Sequence, residues 1–209
     1  MKTATVLVFV SLFAFLGDRF IVASPPDALL DKLRNLYPER FTMYHRVILT
    51  VRGKNYDFNG YLNRADDRIS AVGFNEMGGR LFNMTSSQQK VEVVTKPDRM
   101  PTSVLRNYVI PELNAMFIVA MFEDRTVEQR SAEIVLIRGR RNIEYVFNST
   151  LERCETITIT EGREKISVIQ LRDYRMFAGW NQEIPQTITV LNQKCNYEMT
   201  LRLLQINSS

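Results

Sequence analysis

The side chains best suited to chemistry in this 209-residue chain are few: one histidine, His45, two cysteines, Cys154 and Cys195, and the carboxylate pairs Asp66-Asp67 and Glu123-Asp124. A hydrolase needs a nucleophile, a base within hydrogen-bond reach and a third group to orient that base. His45 stands beside Arg46 on an alternating stretch, where a lone histidine is expected to be a surface or pairing residue. Neither cysteine lies in a nucleophile motif, and the carboxylate pairs fall in turns or at a helix end, where solvation explains them. One histidine and two well-separated cysteines do not make a four-ligand metal set. Catalysis, a metal and a cofactor are therefore not expected. An esterase or transferase acting on lipid through His45 is the least favoured alternative.

Composition sets the class. With 45% hydrophobic and 24% charged residues, the chain suits one globular domain with a substantial core. Its start, "MKTATVLVFVSLFAFLG", carries one lysine and then an uncharged apolar run from Ala4 to Leu16, the length of a secretory signal and short for a bilayer span. A signal peptide over residues 1–24, cut near Ala23 or Ser24, is expected, leaving 25–209 as a single domain. An uncleaved anchor running through Ile21 and Val22 is the alternative. Loss of Lys2, Asp18 and Arg19 leaves 25 basic against 22 acidic residues, a net charge of +3, too mild to imply nucleic acid. The densest basic stretch, "IRGRR" at 137–141, suits a solvated hairpin turn, with anionic head groups as the other reading. In an oxidising compartment a Cys154–Cys195 disulfide stays open.

The elements that must position these groups follow from periodicity. Leu29, Leu30, Leu33, Leu36 and Tyr37 recur at helical spacing behind "PPD", so a short amphipathic helix ending at Pro38 is predicted. From residue 43 the period becomes two: Val47, Leu49 and Val51 alternate with polar residues, then Tyr56, Phe58 and Leu62 do the same. Some eleven such segments occur, interrupted at 98–125 by helical spacing around Leu105, Tyr108 and Val109, where Pro111 is expected to force a new start, giving two short helices or a kinked pair. The run "AMFIVAMF", 115–122, has no polar residue and is expected to be buried on every side. The fold class predicted is α+β: a single strongly curved antiparallel sheet of about eleven strands, an open half-barrel, wrapped around a helical lid. Such a half-barrel could hold a hydrocarbon chain under a lid made by Leu105, Met116, Phe117, Val119, Met121 and Phe122, with Trp180 in the aromatic stretch "DYRMFAGW" at its rim or, the favoured role, packed against the helix end. A core plug, packed shut by those same side chains, is the competing reading.

Three stretches, in order, resemble the LolA/LolB group of periplasmic lipoprotein carriers and outer-membrane acceptors, with the uncharacterised bacterial lipoproteins related to them. They are "NEMG" at 75–78, "MPTSVLRNYV" at 100–109 and "LRDYRMFAGWNQEIPQTITVLNQKCNYEMTLRLLQI" at 171–206. The resemblance implies an exported, periplasmic or outer-membrane-associated protein that binds a lipid or acyl chain, including that of a lipoprotein. It also implies a turn whose apolar tip, here Met77, touches the membrane, although Glu76 replaces the family's proline. An arginine that latches the lid is implied as well; Arg46 and Arg52 both suit that role. The family's lipidated cysteine has no counterpart, since no cysteine precedes Cys154. An envelope assembly or scaffolding module with a filled, protein-binding fold is the alternative function.

Overall fold

The computed structural model describes residues 26–87, 91–96, 101–118, 126–177, 180 and 183–208. The expected signal segment and Val119, Met121 and Phe122 lie outside them. Helix α1 (Pro26–Arg34) buries Leu29 and Leu33 and leads through a turn to the buried ring of Tyr37. Among the described residues twelve strands follow: β1 (Arg40–Val51), β2 (Lys54–Ala65), β3 (Arg68–Phe74), β4 (Arg80–Ser86), β5 (Val91–Thr95), β6 (Thr126–Arg130), β7 (Glu133–Arg138), β8 (Arg141–Phe147), β9 (Cys154–Glu161), β10 (Glu164–Met176), β11 (Glu183–Asn192) and β12 (Tyr197–Ser208). They form one sheet in the order β5-β4-β3-β2-β1-β12-β11-β10-β9-β8-β7-β6. Every neighbouring pair is antiparallel, so two meanders join where the first long strand meets the last. The hairpin loops carry the chemistry this requires: between β1 and β2, Arg52 (φ 49°) and Gly53 (φ 74°) both take the left-handed conformation that matches strand twist.

The strand count exceeds the predicted eleven by β6, "TVEQR", whose single strongly apolar residue, Val127, gives no alternation to detect. The helical insertion also differs from expectation. Helix α2 (Thr102–Val104), a π-helical stretch Leu105–Val109, and helix α3 (Ile110–Phe117) run on as one central helix, with no break at Pro111. A proline ring clashes with the carbonyl four residues back in a regular α-helix. The wider π turn immediately before Pro111, in which Ile110 N–H reaches Leu105 O, makes room for the ring instead.

The central helix shows that the sheet is curled. Asn114 bonds to Ser86 on β4, whereas the next residue, Ala115, accepts a bond from Tyr145 on β8. These strands are second and tenth in the sheet order, roughly 38 Å apart if the sheet were flat at about 4.8 Å per strand. Adjacent residues of one helix can touch both only if the sheet wraps round it, as the half-barrel prediction requires.

Candidate functional site

The face of the sheet that wraps the helix is filled. Ile110, Leu113, Ala115, Met116, Phe117 and Ile118 are all buried, and they join one continuous apolar cluster with the inward residues of the strands. Of the predicted lid residues, Leu105, Met116 and Phe117 are each at most 2% exposed. Phe117 sits among Tyr37 at 5.2 Å, Phe41 at 6.2 Å and His45 at 6.3 Å between ring centroids. Trp180 packs on Tyr37 and Phe41 at 6.4 and 6.3 Å, so it belongs to the same cluster and not to an open rim. Tyr174 spends its hydroxyl on the carbonyl of Cys154, while Met176 is exposed. The expected preformed hollow is not seen among the described residues. Their two best-formed clefts, of about 320 and 400 Å³, are lined by other residues: one by Lys32, Leu33, Leu36, Phe147 and their neighbours, the other by Pro111, Asn114 and the β7–β8 turn.

His45 is buried, not on the surface as expected. It lies on the inward face of β1 with Met43 and Val47, and burial lowers its imidazole pKa to about 4. The two cysteines are unbonded. Cys154 starts β9 near the end of β10 that carries Tyr174, whereas Cys195 follows Asn192, which pairs with Ser167 near the opposite end of β10. The intervening stretch of strand, at about 3.3 Å per residue, separates them by roughly 20 Å, beyond any disulfide. Burial pushes the Cys154 thiol up to about 12, and it donates to Thr156 O.

Two buried ionisable side chains tie the helix into the sheet. At its carboxyl end, Arg64 of β2, 5% exposed, donates from Nη1 to Phe117 O at 3.0 Å and Tyr37 O at 3.4 Å, and from Nε to Asp66 O at 3.2 Å. It therefore neutralises a carbonyl left free at the helix end, where cations are favoured. Desolvation lowers its pKa. Neither arginine favoured from the sequence does this: Arg46 forms an exposed pair with Asp57, and Arg52 sits in the β1–β2 turn. In mid-helix, Glu112 is 1% exposed. Its Oε1 accepts from Ser167 Oγ at 2.5 Å and Asn192 Nδ2 at 2.7 Å, and its Oε2 accepts from Tyr197 OH, so β10, β11 and β12 all hold it. Burial raises the carboxyl pKa, and those three donors only partly offset it.

The turn that carries Met77 is built to project it. Asn75 and Gly79 exchange bonds, N–H to Gly79 O at 2.9 Å and Gly79 N–H to Asn75 Oδ1 at 2.7 Å, while Gly78 (φ 77°) closes on Asn75 O. Met77 is left 92% exposed at the tip.

Among curated proteins none matches this chain. Among solved structures, it is similar to a LolA superfamily protein from Nitrosomonas europaea, with 9% identity and a TM-score of 0.61 over 90% of this chain and 94% of the other. It is also similar to a DUF1329 family protein from Desulfovibrio piger, with 7% identity and a TM-score of 0.50 over 89% and 94%. At such identities the likeness is one of fold, and the curled sheet with its enclosed helix is a LolA/LolB-like fold. Residues 42–205 match the family model described as a protein of unknown function, DUF3261, and the chain belongs to that family.

Proposed function

We propose that this protein is an exported, non-catalytic carrier in the cell envelope, seen here with its lid shut, whose ligand is the acyl chain of a lipid or lipoprotein. The observation that supports it is the pair of buried polar anchors, Arg64 and Glu112, between helix and sheet. Apolar packing alone holds a permanent core helix as well or better, because buried charges lose much of their attraction to desolvation. Polar anchors instead define one docked position and leave solvated groups behind when the helix departs. A lid needs both properties.

The two energies in such an exchange are of similar size. Moving the helix off the sheet exposes Leu105, Ile110, Leu113, Met116, Phe117 and Ile118 at about 1.5–3 kcal/mol each, roughly 9–18 kcal/mol together. A sixteen-carbon chain entering the same place regains up to roughly 12 kcal/mol at about 0.8 kcal/mol per methylene, before ordering costs. Val119, Met121 and Phe122 are proposed to contact the same acyl chain. Met77 is proposed to touch the outer-membrane surface during exchange, its thioether side chain entering the interface while Glu76 disfavours strongly anionic lipid.

Uptake of a fluorescent fatty acid by detergent-free protein tests this. Saturable uptake that quickens in R64L supports the carrier. The packed interior favours one other reading, an assembly module that binds envelope proteins through its outer faces. In that case neither protein takes up the probe, and cross-linking in cells recovers a specific protein partner.

A further inference from the structure

Beside α3, the β7–β8 turn places Arg138, Arg140 and Arg141 around a cleft of about 400 Å³ that Pro111, Asn114, Ile143 and Glu161 complete. Arg138 and Arg141 are direct partners across the ladder. Like charges opposed in this way are unfavourable unless something lies between them. Glu161, the cross-strand neighbour of Arg141, supplies one carboxylate against three guanidinium groups, and among the described residues none of the three arginines forms an ion pair. The cleft is thus a concentration of unneutralised guanidinium, the group whose planar fork matches the oxygens of phosphate.

The groups around this cleft therefore ask for an anion. Pro111 and buried Ile143 give the wall between them an apolar character suited to a short carbon stem.

We propose that this cleft binds the phosphate of a phosphate ester, with Arg138, Arg140 and Arg141 on the phosphate. A phospholipid head group and a soluble phosphate ester share this chemistry. The site lies outside the packed interior and is complete with the central helix docked, since Pro111 and Asn114 belong to that helix while the three arginines belong to the β7–β8 turn.

Calorimetric titration of the whole protein separates the sources, using glycerol 3-phosphate, dihexanoyl phosphatidylglycerol below its micellar concentration, and glycerol as the phosphate-free control. Saturable binding of a phosphate compound is expected, with affinity at least tenfold weaker in R138Q/R141Q and falling with added salt. Binding of the lipid alone assigns a head group; binding of both assigns the phosphate moiety itself. Because the substituted side chains lie at a hairpin turn, the variant's melting temperature should match the wild type. No saturable binding of either phosphate compound at low salt, equal affinity in the variant, or equal binding of glycerol would overturn the proposal.

Discussion

Acid should weaken this protein through one side chain. His45 is 3% exposed, packed near Phe117 of the central helix, and burial holds its imidazole at a pKa of about 4 against 6.5 for the free group. Because the folded value is depressed, the unfolded chain takes up the proton first as pH falls. The stability tied to neutral His45 is therefore full above pH 6.5 and is lost through the interval down to about 4. A difference of 2.5 pH units at about 1.36 kcal/mol each corresponds to about 3 kcal/mol between pH 7 and pH 4, a large share of the 5–15 kcal/mol typical of a domain. Urea unfolding of the wild type and H45Q at both pH values isolates the effect. Any constant cost of the glutamine cancels, and carboxylates common to the two proteins contribute equally to each. The wild type should lose about 3 kcal/mol more than H45Q on acidification. As the single histidine of the chain, His45 also gives an unambiguous ring signal in NMR. A midpoint near 6.5, with wild type and variant weakening in parallel, would refute the burial of this residue.

Glu112 has the opposite sign. Burial raises its carboxyl above the ordinary range, so stability is full below the unfolded value near 4.5 and falls as pH climbs through the folded one; E112Q should gain on the wild type over that climb, and parallel urea midpoints would count against it. Truncation in E112A strands Ser167, Asn192 and Tyr197 and should cost about 2–4 kcal/mol near pH 4.5 in the same assay, less as pH rises. R64L should lower stability by roughly 2–4 kcal/mol and speed hydrogen exchange at the amides of residues 112–118 more than at those of β10; uniform acceleration would mean that Arg64 is no latch. M77E should leave the melting temperature within a degree or so, since the side chain is 92% exposed, yet reduce flotation with neutral phospholipid vesicles about tenfold; unchanged flotation removes Met77 from the membrane.

Much of the architecture could be read from period two alone. Phe41, Met43 and Val47 point inward on β1, and Phe58 and Leu62 do so on β2, because a half-buried strand has no other way to hide them. The same parity carried unused information. His45 shares the face of Met43 and Val47, and Arg64 shares the face of Phe58 and Leu62, so both were marked as inward by position while their polarity suggested water. Arg64 is also followed closely by Asp66 and Asp67, which makes the segment resemble solvated turn chemistry. Its true partner, Phe117, is 53 residues away and leaves no local trace. Glu112 stands on the helix face of Leu105 and Met116 at spacings of seven and four, a placement that signals burial, but Ser167, Asn192 and Tyr197 come from three distant strands. The proline was overread because a π turn is a structural response that composition does not announce. Whether an apolar helix roofs a space or fills it depends on sheet curvature and side-chain volumes together, which periodicity does not contain.

The most direct measurement of the carrier reading is native mass spectrometry of the wild type and R64L, both purified from their own envelope fraction without detergent. A shut-lid carrier should show a subpopulation with an added mass equal to an acyl lipid, larger in R64L and lost on organic extraction. Apoprotein alone in both samples, with no adduct after incubation with palmitate, would contradict it.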